Sequence, residues 1–187
     1  PAAGPSESVS RAFEMLGAPM LVATADHPLL SPDWIRHFIA SAPEDVDVAV
    51  MLASREKVEA AVPGSKRTWL KFSDGHWSGC NLFLLRTPGA SRALAVWKQI
   101  EALRKKPWRI AQRIGPVTLV RYALGLLSIQ QAFIRLGRKI GVTASVIPAT
   151  DGLAAVDVDS VADLRTVRAI WAEQRSGQGS PSAGSNQ

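Results

Sequence analysis

The stretch MLVATADHPLL, Met20 to Leu30, constrains the fold more than any other part of the chain. Met20 to Ala25 is a short apolar run of the kind that forms a strand buried on both faces. It ends abruptly on Asp26, His27 and Pro28. Val46 to Ala53 is a second run of this type. Between them Ser31-Pro32-Asp33 opens a helix, with a hydroxyl cap, a proline at the first position and an acid in the first turn. Trp34, Ile35, Phe38 and Ile39 form its apolar face.

The rest of the chain alternates in the same way. Ser6 to Leu16 is predicted helical, with Val9, Phe13 and Leu16 on one face and Ser6 or Ser8 as the cap. A short helix follows the second strand to about Val62. Arg67 to Phe72 is predicted as a strand ending in the Asp74-Gly75 turn, and Asn81 to Leu85 as the next strand. A helix spans Pro88 to Leu103, and Pro107 breaks it. Helical stretches are predicted at 108–114, 117–127 and 129–139. Gly141 to Pro148 and Ala154 to Val158 read as strands, and Ser160 caps a last helix to about Gln174. This alternation predicts an α/β sandwich with a mostly parallel sheet. In such sheets ligands bind outside the carboxyl ends of the strands, where Asp26 and Asp159 fall.

Composition sets outer limits. The chain has 187 residues, 47% of them hydrophobic, enough for one domain with a real core. Residues 1–175 are expected to form it, with a helical insertion at about 98–140 and a disordered Gly/Ser-rich tail at 176–187. The one cysteine, Cys80, excludes an internal disulfide and a Cys-based zinc site, and suits a cytoplasmic setting. Neither a signal peptide nor an apolar run of about 18 residues is visible, so no transmembrane segment is expected. The net charge is +6, and 98–140 holds ten Lys/Arg against one acid, Glu101. Such a block meets phosphate or anionic lipid, or is simply a solvated helical face. It lacks the spaced aromatics and recognition motifs of a nucleic-acid binder, so no nucleic-acid partner is expected.

Two acidic groups follow strands: Asp26, and Asp157 with Asp159 in AAVDVDS. A carboxylate there can hold Mg²⁺, which takes one or two carboxylates with water and substrate phosphates. It can equally be a turn former, since Asp is common in turns. Arg67, Trp69 and Lys71 alternate onto one strand face, which suits an anionic acceptor or a solvated sheet face. RKKPWR, with Lys105, Lys106 and Arg109 around Trp108, suits a phosphate, a lipid headgroup surface or a solvated connection. His27 is placed to donate to phosphate, or is a solvated or capping histidine. Cys80 has no catalytic partner pattern and reads as a packed residue.

Four stretches together resemble the MobA-like nucleotidyltransferase family. TADHPLL resembles its metal-site motif after a buried strand. VDSVADL, Val158 to Leu164, resembles its C-terminal acidic motif, with Ser160, Val161 and Ala162 in place of Thr-Pro-Glu. GPSESVSRAFEML is similar to the segment that wraps the nucleotide base, and SGCNLFLL, Ser78 to Leu85, to the strand that lines the acceptor pocket. The resemblance implies a Rossmann-like three-layer sandwich of the GT-A type. It implies transfer of a nucleoside monophosphate from a nucleoside triphosphate to a phosphorylated small-molecule acceptor, Mg²⁺-dependent, with release of pyrophosphate. By the same match Asp26 and Asp159 are the metal ligands and catalytic residues, assisted by Asp157. Gly4, Ser6 and Ser8 contact the nucleotide, and Gly79 and Asn81, with Arg67 and Lys71, meet the acceptor.

The family's glycine-rich triphosphate loop has no counterpart here, and the chain opens on Pro1. The expectation is of a chain lacking the family's N-terminal part, with impaired activity and an open sheet flank. The competing expectations are a non-catalytic homologue that binds anions or a membrane surface through the basic helices, and a GT-A glycosyltransferase. The last usually carries Asp-x-Asp at the central metal site, and Asp26-His27-Pro28 is not one.

Overall fold

The computed structural model describes residues 4–65, 67–102 and 115–178. The expected helix at 108–114, the RKKPWR cluster, Lys66 and most of the predicted tail lie outside them. The elements in order are α1 (Pro5–Leu16), β1 (Met20–Ala23), α2 (Pro32–Ser41), β2 (Val48–Ser54), α3 (Arg55–Ala61), β3 (Leu70–Phe72), β4 (Gly75–Leu85), α4 (Ala90–Ala102), α5 (Pro116–Ala123), α6 (Ile129–Ile140), β5 (Ala144–Pro148), a 3-10 turn (Gly152–Ala155) and α7 (Val161–Gln178).

Most boundaries follow from local chemistry. Ser31 Oγ accepts from Asp33 N at 3.2 Å and starts α2, with Pro32 at the first position where no N–H is missed. Ser128 caps α6 in the same way, and Gly141 ends it in the left-handed region at φ 72°. Ser160 and Asp163 cap α7 reciprocally: Asp163 Oδ2 accepts from Ser160 N at 2.7 Å, and Ser160 Oγ accepts from Asp163 N at 3.3 Å. That helix runs to Gln178, past its expected end and into the predicted tail. Neither Ser6 nor Ser8 caps α1. Gly4 is the cap and Pro5 the first residue, so both serines already lie inside the helix.

The sheet order is β1-β4-β2-β5, with β3 hairpinned onto β4. β1, β2 and β5 point the same way, and helices cover both faces, giving the expected α/β sandwich. β4 runs against its neighbours, so β2–β5 is the parallel pair and the sheet is mixed. The hairpin turn falls at Ser73-Asp74, one residue before the predicted Asp74-Gly75, and returns the chain antiparallel to β3. β4 begins at Gly75, not Asn81, since polar and small residues in HWSGCN hide its first half.

Alternation divides the core. Ala49, Met51 and Ala53 of β2 join Cys80, Leu82 and Leu84 of β4 against Phe38, Val58 and Val167. Val50 and Leu52 face the other side, with Ile129 and Phe133 of α6. Phe13, Leu85 and Leu94 fill the space between α1, β4 and α4. At the amino end of β2, Asp47 accepts from Thr143 N at 2.8 Å and from the Thr87 hydroxyl, joining three chain segments. No helix of the described residues is long and apolar enough to cross a membrane.

Candidate active site at the carboxyl end of the sheet

β4 does not pass β2 evenly. Val50 faces Phe83, yet Leu52 faces Gly79, so Met51 spans Cys80, Asn81 and Leu82. The extra residues form a bulge, and Asn81 in it takes a positive φ of 54°, which Asn tolerates better than most residues. The bulge re-aims the Asn81 side chain toward the chain that follows β5. Asn81 Nδ2 donates to Asp157 Oδ2 at 3.2 Å. Arg67 holds the other oxygen, Nη2 to Oδ1 at 3.0 Å, and its Nε donates to Ser78 Oγ at 3.1 Å. Arg67 is only 11% exposed, so this pair is sheltered and its geometry fixed. Arg67, Thr68, Ser78, Gly79, Asn81, Asp157 and Asp159 line a polar cleft of about 370 Å³, closed on one side by Leu70.

Asp26 reaches this group through its backbone. Asp26 O accepts from Val158 N at 2.9 Å, between the two acids of the C-terminal motif. Thr24 N donates to Asn81 O at 3.3 Å. The loop after β1 is thus stitched to both the bulge and Asp157–Asp159. The segment expected as a strand at Ala154–Val158 is instead a 3-10 turn followed by extended chain. Asp151 accepts from Leu153 N at 2.8 Å and starts that turn. Asp26 is exposed, and no hydrogen bond or ion pair engages its carboxylate or that of Asp159 among the described residues. Thr24 Oγ1 and both ring nitrogens of His27 are buried there without a hydrogen bond of good geometry, although the Ala154 backbone lies near enough to the ring to act on it. Buried polar atoms of this kind ask for a water, an ion or a ligand. Two uncommitted carboxylates are ligands of the type a hard cation takes, although no group of three or more such side chains forms among the described residues.

No family model and no curated protein matches the chain. Among solved structures, a hypothetical transferase from Thermus thermophilus is similar, with a TM-score of 0.79 and 32% identity, covering 88% of this chain and 71% of that one. The chain belongs to the family of that transferase.

In this member of the transferase family, the expected site residues divide. Asp157, Asp159, Arg67, Gly79 and Asn81 converge on the cleft, with Asp26 next to them. Lys71 does not line it. β3 spans only Leu70–Phe72, so Arg67 and Trp69 precede it and share no strand face with Lys71; Arg67, Thr68 and Leu70 line the cleft. Trp69 instead packs on the core below Arg55. Gly4, Ser6 and Ser8 make contacts away from the cleft. Ser6 is buried and its N–H donates to Glu101 Oε2 at 3.2 Å, while Ser8 Oγ donates to Gly4 O at 3.2 Å. Glu101 sits so close to Gly4 that any side chain there would strike its carboxylate, at 2.2 Å.

His27 is buried, not solvated, and stacks on Trp34 at 6.1 Å between ring centres. Burial lowers its pKa, against the upward pull of Asp157, Asp26 and the Ala154 backbone. Cys80 is the packed residue expected: burial pushes its thiol up to about 12, so it stays neutral and unreactive. Sequence reading missed Ser78 and Thr68. Neither carried a signal of its own, since burial alternates regularly through Ser78 to Leu84.

Proposed function

We propose that this chain is a nucleotidyltransferase that moves a nucleoside monophosphate from a nucleoside triphosphate to a phosphorylated small-molecule acceptor. The observation that carries this reading is the bond from Val158 N to Asp26 O, which joins the acid after β1 to the acids after β5. Asp26 and Asp159 would hold Mg²⁺. The ion, when bound, neutralises charge on the α-phosphate and orients the in-line attack.

The chain's own residues supply the rest. Arg67 and Asn81 fix Asp157, so this carboxylate shapes the cleft wall and keeps its position as substrate enters. Arg67 also brings a guanidinium to the cleft, in the planar geometry that suits phosphate oxygens. Gly79 leaves backbone open to close approach. An acceptor phosphate is already ionised, so the chain needs no general base. Its oxygen forms a bond to the α-phosphorus, the bond to the β-phosphate bridge breaks, and pyrophosphate leaves with the electron pair.

Calorimetry with each of the four nucleoside triphosphates, with and without Mg²⁺, tests the donor half. Pyrophosphate release over a panel of phosphorylated acceptors tests the transfer. Mg²⁺-dependent binding of at least one nucleotide is expected. Asp26→Asn and Asp159→Asn should each lower turnover about 100-fold or more, the scale of a lost transition-state electrostatic contact. Absence of Mg²⁺-dependent binding for all four nucleotides would sink the reading.

A further inference from the structure

A second cavity adjoins the polar cleft. It encloses about 270 Å³ between β3, α5 and α6. Its walls are Leu70 and Phe72, Leu119 and Tyr122, Phe133 and Leu136, and Leu127 forms a buried floor. No charged residue lines it. Leu70 belongs to both cavities, with the polar cleft on one side and the apolar one on the other.

The hairpin between β3 and β4 makes this adjacency structural. Ser73 N donates to Leu127 O at 3.0 Å, and Asp74 Oδ1 accepts from Ile129 N at 3.0 Å. The α6 end of the α5–α6 connection is therefore tied to the hairpin of the strand pair that carries Leu70 and Ser78. Phe72 meets Tyr122 edge-on at 5.2 Å and braces the wall. Leu70 and Tyr122 remain 41% and 43% exposed, so apolar surface stays wet at the boundary of the cleft. A wall whose side-chain polar groups are the hydroxyls of Thr118 and Tyr122 alone selects mainly by shape and hydrophobicity. Such a wall suits hydrocarbon, and Leu70, shared by the two cavities, is where a chain in one would meet a polar head in the other.

We infer that the acceptor is amphiphilic: a phosphate-bearing head in the Arg67–Asn81–Asp159 cleft and an alkyl or prenyl chain laid over Leu70 into the apolar cavity. The head-group part rests on the nucleotidyltransferase reading. The chain part rests on the cavity alone.

Calorimetry with ethyl, butyl, hexyl and octyl phosphate, and with the matching alkanols, separates the two. Affinity is expected to rise up to about fourfold per methylene buried, until the cavity is full. The phosphates should bind more tightly than alkanols of equal length. Ala132→Trp fills the cavity and should bring the octyl-to-ethyl ratio close to one. Should that variant melt early, Leu119→Ser, on the half-exposed α5 wall, should lower the same ratio. Phosphate binding without chain-length dependence overturns the inference and spares the nucleotidyltransferase reading. Chain-length dependence without phosphate preference keeps the chain part, overturns the head-group part and counts against the nucleotidyltransferase reading.

Discussion

Asn81 carries two separable duties, a left-handed backbone and a side-chain bond to Asp157. Asn81→Gly keeps the backbone and loses the bond. Asn81→Ala loses both, and its strained φ should cost about 1–2 kcal/mol more than Gly in urea unfolding. Both should lower transfer activity alike if the bond matters to the site. Equal stability of the two variants would mean that the bulge relaxes. The positive φ was not legible in SGCN, because nothing in an Asn between Cys and Leu marks a bulge. Its nearness to Asp157 was legible only through family resemblance. Asp26 shows the opposite case. Its position at a strand's carboxyl end could be read directly, while the backbone bond that pairs it with Val158 depends on tertiary packing.

At the scale of elements, the 3-10 turn at Gly152 sets where the C-terminal acids emerge. A Cβ on Gly152 would lie 2.1 Å from Lys57 O and 2.7 Å from Val58 Cα, both backbone atoms of α3. Gly152→Ala should therefore destabilise by about 1–3 kcal/mol, the cost of overpacking. It should also reduce turnover by displacing Asp157–Asp159. A thermal melt beside an activity assay reads both. The sequence pattern placed a strand here because Ala154 to Val158 is apolar but for Asp157, whereas contact with α3 selects the tighter turn. Helix starts were far more legible, since Ser31 and Ser160 act through bonds to residues two or three positions away. Asp47 links β2, β4 and β5, and its pKa is lowered chiefly by the Thr87 hydroxyl, helped by Thr143 and Arg92 against partial burial. A depressed carboxylate pKa adds stability above the unfolded value, near about 4, and loses it as pH falls through the folded value. The stability gap between wild type and Asp47→Asn should be full at neutral pH and close in acid. A gap that persists unchanged at pH 3 would assign the effect to packing instead.

For the whole molecule, the two-faced burial of β2 predicted a sheet covered on both sides, and helices do cover both. Strand order was beyond local pattern, because apolar runs do not name their partners. The same order has a consequence for synthesis. β1 and β2 are made first yet do not touch as strands; β4 lies between them, and Met20 waits for Leu85. At about 5–20 residues per second the ribosome leaves both runs unpaired for several seconds. Protease protection of β1 in arrested nascent chains should then appear only once Leu85 has cleared the exit tunnel. Earlier protection would mean a non-sheet refuge. The antiparallel strand that brings Asn81 to the site is thus also the keystone laid last between two waiting walls, and the nascent chain needs shelter until it arrives.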